Sequence, residues 1–303
     1  MILAALTLLI AWLQIAPTSN TALSPAPLDS TTSRKASLQG RIAFVSYRDG
    51  NAEIYVMNAD GNNTKRLTNE PEADWFPAWS PDGQRIAFAT NRDHNFEIYV
   101  MNADGSHPVR LTNTHSFAGY PAWSPDGRMI MFGVEQGATM QLHLMNADGT
   151  QQRSLLNDPV DGWYAKWSPG GQQIAFNAEY EGNTEVYLLN LADGQRKRLT
   201  DYADFAGDAV WSPTGERIAF VRTQGLSQQI YVMNADGTQP TLLTYNPGYG
   251  SNPVWSPDGQ HIAFTSARAG DGDIYVMNAD GSQPIRLTYN PGDDINPAWW
   301  APK

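Results

Sequence analysis

Few side chains in this chain are equipped for catalysis. His94, His107, His115, His143 and His261 are the whole imidazole complement of 303 residues, and there is no cysteine. Thiolate nucleophiles, thiolate metal sites, disulfides and a lipidated N-terminal cysteine are therefore excluded. The histidines do not gather. His143 stands in a slot that elsewhere holds Tyr55, Tyr99, Tyr187, Tyr231 and Tyr275, which marks it as packing. His107 lies near a turn, His261 opens a strand, and only His94 and His115 fall in variable loops. No Gly-x-Ser-x-Gly elbow occurs, so serine hydrolase chemistry has no nucleophile site.

Carboxylates and aromatics offer more. Asp74, Asp161, Asp204, Asp208, Asp293 and Asp294 are interspersed with Trp75, Phe76, Phe117, Tyr120, Trp163, Tyr164, Phe205 and Tyr249. Such a mixture suits a binding surface, since aromatic rings offer apolar faces to peptides or sugars. It suits a metal-dependent hydrolase or lactonase only if three or more carboxylates converge on one point. Asp271-Gly272-Asp273 invites a calcium reading, but Asp-Gly is ordinary hairpin chemistry and the turn is preferred. The pairs Arg48 with Glu53, Arg92 with Glu97 and Arg268 with Asp273 share one spacing across a loop, which predicts loop-bracing ion pairs.

The elements that must position these residues are set by a repeat. Trp79, Trp123, Trp167, Trp211, Trp255 and Trp299 are each 44 residues apart. Ile42-Ala43-Phe44 recurs in step as Ile86-Ala87-Phe88, Ile130-Met131-Phe132, Ile174-Ala175-Phe176, Ile218-Ala219-Phe220 and Ile262-Ala263-Phe264, and so does the asparagine from Asn58 to Asn278. Within one period, β-branched and aromatic runs are separated by Ser-Pro-Asp-Gly and Asn-Ala-Asp-Gly turns, giving four strands. Four strands per period of this length make a propeller blade. The expectation is an all-β, six-bladed β-propeller over residues 40–303, six repeats with no remainder. Strands within 41–68 and a C-terminal strand at 295–300 should share one blade, a three-plus-one closure that pairs the ends and removes edges.

The string Pro-x-Trp-Ser-Pro-Asp-Gly, Ile-Ala-Phe, Ile-Tyr-Val-Met-Asn-Ala-Asp-Gly resembles the TolB-type propeller repeat, a relative of WD repeats, over the whole of 40–303. The resemblance implies a propeller and leaves function open, because such propellers serve scaffolds, peptidase accessory domains and lyases alike. Pectate-type lyases of this resemblance rely on a histidine-rich metal site, which these five histidines do not form. TolB proper carries an α/β domain before its propeller, and the 39 residues here are too few for one.

Strand order puts both sets of repeated turns on one face and the variable blade-to-blade crossings on the other. Variable loops on a rigid frame are where recognition usually sits. The expected binding residues are accordingly Asp74, Trp75, Phe76, Phe117, Tyr120, Trp163, Tyr164, Phe205, Tyr249, Asp293 and Asp294, around the channel mouth. A net charge of −11 argues against nucleic acid, which needs clustered Lys and Arg. Met1 to Ala16 is an apolar run of about 24 Å as a helix, shorter than a bilayer core. It reads as the core of a signal peptide over 1–22, followed by a Ser/Thr/Pro/Ala linker over 23–39. A monomeric periplasmic or extracellular module follows, without cofactor or catalytic residues, and with a protein or glycan partner in the cell envelope. Once the signal is cleaved, no membrane span is expected.

Overall fold

A computed structural model describes residues 35, 37–155, 162–225, 227–245 and 249–302. The signal segment and most of the linker lie outside this range, as do Val160 and Asp161. The described residues form 24 strands, numbered β1 to β24 in chain order, in six four-stranded antiparallel sheets. The six-bladed propeller is therefore present. Closure is as the repeat requires: β24 (Asp294–Trp300) pairs with β1 (Arg41–Ser46), beside β2 (Glu53–Asn58) and β3 (Lys65–Arg66).

The Ile-Ala-Phe signature is explained by packing on both faces of each sheet. In the first blade Ile42, Phe44, Tyr55 and Met57 point one way and meet Ala263, Ile274 and Val276 of the sixth. Ala43, Ile54 and Val56 point the other way and receive Trp79, Ile86, Phe88, Tyr99 and Met101 of the second. Large residues on one face thus fill the space left by smaller ones on the next, which is how close-packed sheets interdigitate. The six phenylalanines of the signature are all buried. Each contributes about 1.5–3 kcal/mol relative to exposure.

The repeated turns are held by their own side chains. Ser80 Oγ donates to Asp82 Oδ1 at 2.6 Å, Gln84 N–H donates to the same oxygen at 3.0 Å, and Gly83 adopts φ +66°. These hydrogen bonds hold the Asp82 carboxyl below its ordinary range. In the last repeat Trp300 stands where that serine would be. Its ring lies 5.9 Å from Trp79 and against Gly83, and its Nε1 donates to the Pro81 carbonyl at 3.1 Å. The C-terminal strand is thereby latched onto the second blade as well as the first.

The loop ion pairs differ from the sequence expectation. Arg48 reaches past Glu53 to Asp294, and Arg92 reaches past Glu97 to Asp74 and Glu70. Glu53, Glu97 and Asp273 pair instead with Arg66, Arg110 and Arg286 of the outer strands. The cause lies in which face of the sheet each side chain occupies. Arg48 lies over the Phe44 and Tyr55 rings, which directs its guanidinium toward the inner strand. Glu53 turns outward to accept a hydrogen bond from Thr68 at 2.6 Å.

Candidate functional site

The site is built from the six innermost strands: β4 (Asp74–Trp79), β8 (Ala118–Trp123), β12 (Trp163–Trp167), β16 (Ala206–Trp211), β20 (Gly250–Trp255) and β24. Each carries a register shift against its neighbour. A β-bulge of this kind bends the strand and re-aims a side chain. At every bulge one residue is left-handed: Phe76, Tyr120, Tyr164, Asp208, Asn252 and Asn296, with φ between 49° and 57°. Asparagine and aspartate tolerate that region, whereas Phe and Tyr occupy it at a cost of about 1–3 kcal/mol each. Pro77, Pro121, Pro253 and Pro297 follow directly, on an inner edge where no ladder donor is lost.

These six residues form a ring at the waist of the bore. Phe76 lies 4.3 Å from Tyr120, and Tyr120 lies 5.7 Å from Tyr164, centroid to centroid. Asn252 Nδ2 lies 3.5 Å from the Tyr164 hydroxyl, two blades away, and 3.4 Å from Asp208 Oδ2. One half of the ring is aromatic, and the other is amide and carboxylate.

Beyond the ring, on the face of the repeated turns, is a cup of about 320 Å³. Phe76, Tyr120, Tyr164 and Asn296 reach it, and the repeated tryptophans and the bulge prolines wall it. Among the described residues, none of the loops that precede these inner strands lines it. Trp79, Trp123 and Trp167 donate their indole N–H to the carbonyls of Ala298, Ala78 and Ala122, one blade back, at 3.1–3.3 Å. That wheel breaks at Trp211 and Trp255, whose buried N–H groups have no partner among the described residues.

Lys166 supplies the charge. It stands where the other repeats have Ala78, Ala122, Val210, Val254 and Ala298, and among the described residues it is the only charged one in the lining. Its Nζ lies 5.0 Å from the Tyr164 centroid. Burial lowers the ammonium to about 8 against the pull of Asp208. Burial likewise pushes the Asp208 carboxyl up to about 6, against the nearby Asn177 amide and the Lys166 charge.

The expected binding residues divide. Phe76, Tyr120 and Tyr164 enter the bore. Asp74 and Asp294 are fully buried and receive Arg92 at 3.2 Å and Arg48 at 3.0–3.1 Å. Trp75 is wedged among Val45, Ala52 and Ile295. Phe117 stacks near Phe96 and Tyr120, Phe205 lies over Gly207, and Tyr249 lies against Gly272. Asp293 accepts a hydrogen bond from Gly272 N–H at 2.6 Å, and Trp163 is half-buried at the start of β12. Among the described residues no group of three or more histidines and carboxylates is placed to hold a metal ion. Asp271 and Asp273 brace the loop, Asp271 accepting from Gly292 N–H at 3.2 Å and Asp273 forming an ion pair with Arg286 at 2.8 Å. Sequence reasoning missed Lys166, Asn252 and Asn296. The signal was available, because all six ring positions and the Lys166 slot recur every 44 residues.

The model of the TolB beta propeller domain matches residues 30–160 and 139–303. The chain belongs to the TolB β-propeller family. Among curated relatives, the Tol-Pal system protein TolB of Geobacter sulfurreducens is 40% identical over 57 residues, 19% of this chain and 13% of that protein. The match thus spans about an eighth of the relative's length. The crystal structure of TolB from Acinetobacter baumannii superposes with a TM-score of 0.77 at 25% identity, over 87% of this chain and 67% of that one. Oligogalacturonate lyase from Vibrio parahaemolyticus shares the fold alone, with a TM-score of 0.54 at 15% identity over 84% and 74% of the two chains.

Proposed function

We propose that this TolB-family propeller is a non-catalytic recognition module of the cell envelope that holds part of a partner protein in the channel cup. The observation that carries the reading is the cup itself. It is a preformed concavity with aromatic and proline walls and convergent polar groups, the usual composition of a binding site. Its floor is held by six left-handed bulge residues, and strain of that kind clusters where ligands are held. The reading moves recognition from the crossing face to the turn face. Asp74, Trp75 and Asp294 are spent on internal contacts, and so cannot meet a partner. The same engagement weighs against a hydrolase or lactonase built on those carboxylates. Curated relatives are named as Tol–Pal system proteins, which supports an envelope partner. The apolar Met1–Ala16 run supports export to the periplasm or beyond through a signal over 1–22, with the propeller as a monomeric module.

Photo-crosslinking in envelope preparations tests this. A crosslinker placed at Tyr120 should yield a protein adduct, and one at Asp204 on the crossing face should not. The opposite pattern returns recognition to the crossing face. Adducts from neither position would leave a structural role.

A further inference from the structure

A second concavity opens on the turn face, a groove of about 720 Å³ between the first and second blades. Arg41, Lys65 and Arg85 line it, with Val56, Leu67 and Ala103 as apolar surface among them. Three cations about one groove are out of proportion in a protein of net charge −11. The other blade junctions differ. One blade on, the same three slots hold Arg85, Val109 and Met129, and then Met129, Arg153 and Gln173. The next three junctions have Gln173, Lys197 and Arg217, then Arg217, Thr241 and His261, then His261, Ile285 and Arg41. Only the first junction gathers three.

These cations are also unpaired. Elsewhere Arg48, Arg66, Arg92, Arg110 and Arg286 each meet a carboxylate. Among the described residues none of the three in the groove does. Arg41 donates to the Gly83 carbonyl at 3.2 Å, and its guanidinium lies 4.6 Å from the Trp79 ring and 5.1 Å from Trp300. Arg85 lies 4.6 Å from the Trp123 ring. Lys65 crosses the junction to the Asp104 carbonyl at 3.1 Å. The acids that feel Arg85 and Lys65 are Asp82 and Asp104. Each is already bound into its own turn, accepting from Gln84 N–H at 3.0 Å and Ser106 N–H at 2.9 Å. Stacking on indole rings holds both guanidinium groups in place, so little side-chain freedom is left to lose on binding an anion.

We propose that this groove docks an acidic, extended segment of a partner protein. Carboxylates of the segment meet Arg41, Lys65 and Arg85, and an apolar side chain between them covers Val56 and Leu67. Complementary charge of this kind steers and orients a partner. The three cations are rooted on β1, β3 and β5 (Arg85–Asp93), and β1 and β3 lie two strands apart, about 10 Å. Positive charge is thus spread along the groove, which suits a ligand with several anions better than a single one. The apolar surface favours a peptide over phosphate or an acidic glycan, which brings no apolar group to set on it. Trp79 walls the cup and carries Arg41 on its ring, so groove and cup adjoin. The groove nonetheless stands without the cup, since Tyr120 crosslinking reads the cup separately.

The probes are fluorescein-labelled dodecapeptides with glutamates at varied spacing on either side of a leucine, each beside a twin with glutamine for glutamate. They are titrated against the full chain and read by anisotropy. The best acidic peptides should weaken as salt rises, and their glutamine twins should bind about tenfold more weakly or worse. Arg85→Gln should cost about tenfold, and Lys65→Gln, at an exposed position where folding is not at risk, about threefold to fivefold. Arg217→Gln, the same slot three blades away, should change nothing. Equal losses from Arg217→Gln and Arg85→Gln would mean a diffuse charge effect and overturn the proposal. Lys65→Gln without effect, equal binding of the glutamate and glutamine peptides, or no binding of any peptide does the same. Inorganic phosphate and an oligoguluronate form the remaining arms, and binding of either in place of the peptides overturns it in favour of a small anion or a glycan.

Discussion

Lys166→Met removes the one charge in the cup while keeping a side chain of similar length, and the protein should become more stable. Burial holds the native ammonium at about 8, whereas in the unfolded chain it titrates near 10.5. The folded state thus disfavours the charged form, and this penalty is present in full below about pH 8. Between about 8 and 10.5 the unfolded state binds more protons, so wild-type stability from this group rises with pH. A displacement of that size corresponds to about 3 kcal/mol. Because Lys166 is partly open to water in the cup, about 2 kcal/mol is the better expectation. For a domain of this size that is a rise of about 4–8 °C in Tm. Asp208 does not offset it, since its attraction already contributes to where Lys166 titrates. Urea unfolding of both proteins from pH 7 to 10.5 is the assay, read as the difference between them, which cancels tyrosine ionisation. The difference should be largest at pH 7 and close to zero at pH 10.5. A variant less stable than wild type at pH 7, or a difference that does not change with pH, would refute the account of a desolvated cation.

Three further outcomes follow from contacts elsewhere in the ring. Gly83→Ala should cost roughly 3 kcal/mol, because its Cβ would sit 2.1 Å from the Trp300 ring in addition to the left-handed penalty. Gly127→Ala, left-handed but with nothing nearer than 3.7 Å, should cost only about 1 kcal/mol, and Trp300→Ala should bring the two values together. Asp294→Ala strands Arg48 without its buried carboxylate and should cost about 3–5 kcal/mol in chemical denaturation, a surface pair well under 1. Thr112→Val deletes a 2.5 Å hydrogen bond to Glu97 and orphans the Ile98 N–H, so a loss of about 1–3 kcal/mol in urea unfolding is expected.

The ring and its closure were legible because the repeat signals address the backbone. Ile-Ala-Phe alternates large and small across a sheet, and Ser-Pro-Asp-Gly prescribes a turn, so counting periods counts blades. The ion pairs were not legible in the same way. Arg48 and Glu53 are neighbours across one loop, but stacking on Phe44 and Tyr55 turns the arginine toward the inner strand. Sequence separation carries no record of that choice.

The bulges explain why the candidate site was only half readable. A regular strand alternates its side chains between faces, so Phe76, two after Asp74, should share its side of the sheet. The extra residue at each bulge breaks that alternation and turns the left-handed position toward the bore. Carboxylates at the strand starts are drawn inward to arginine, and the residues two places on take over the floor. Phe76, Tyr120 and Tyr164 stood out as aromatics, whereas Asn252, Asn296 and Lys166 were not singled out. In a six-fold frame what matters is departure from the repeat: a lysine in a slot of Ala and Val is costly unless something in the cup answers its charge.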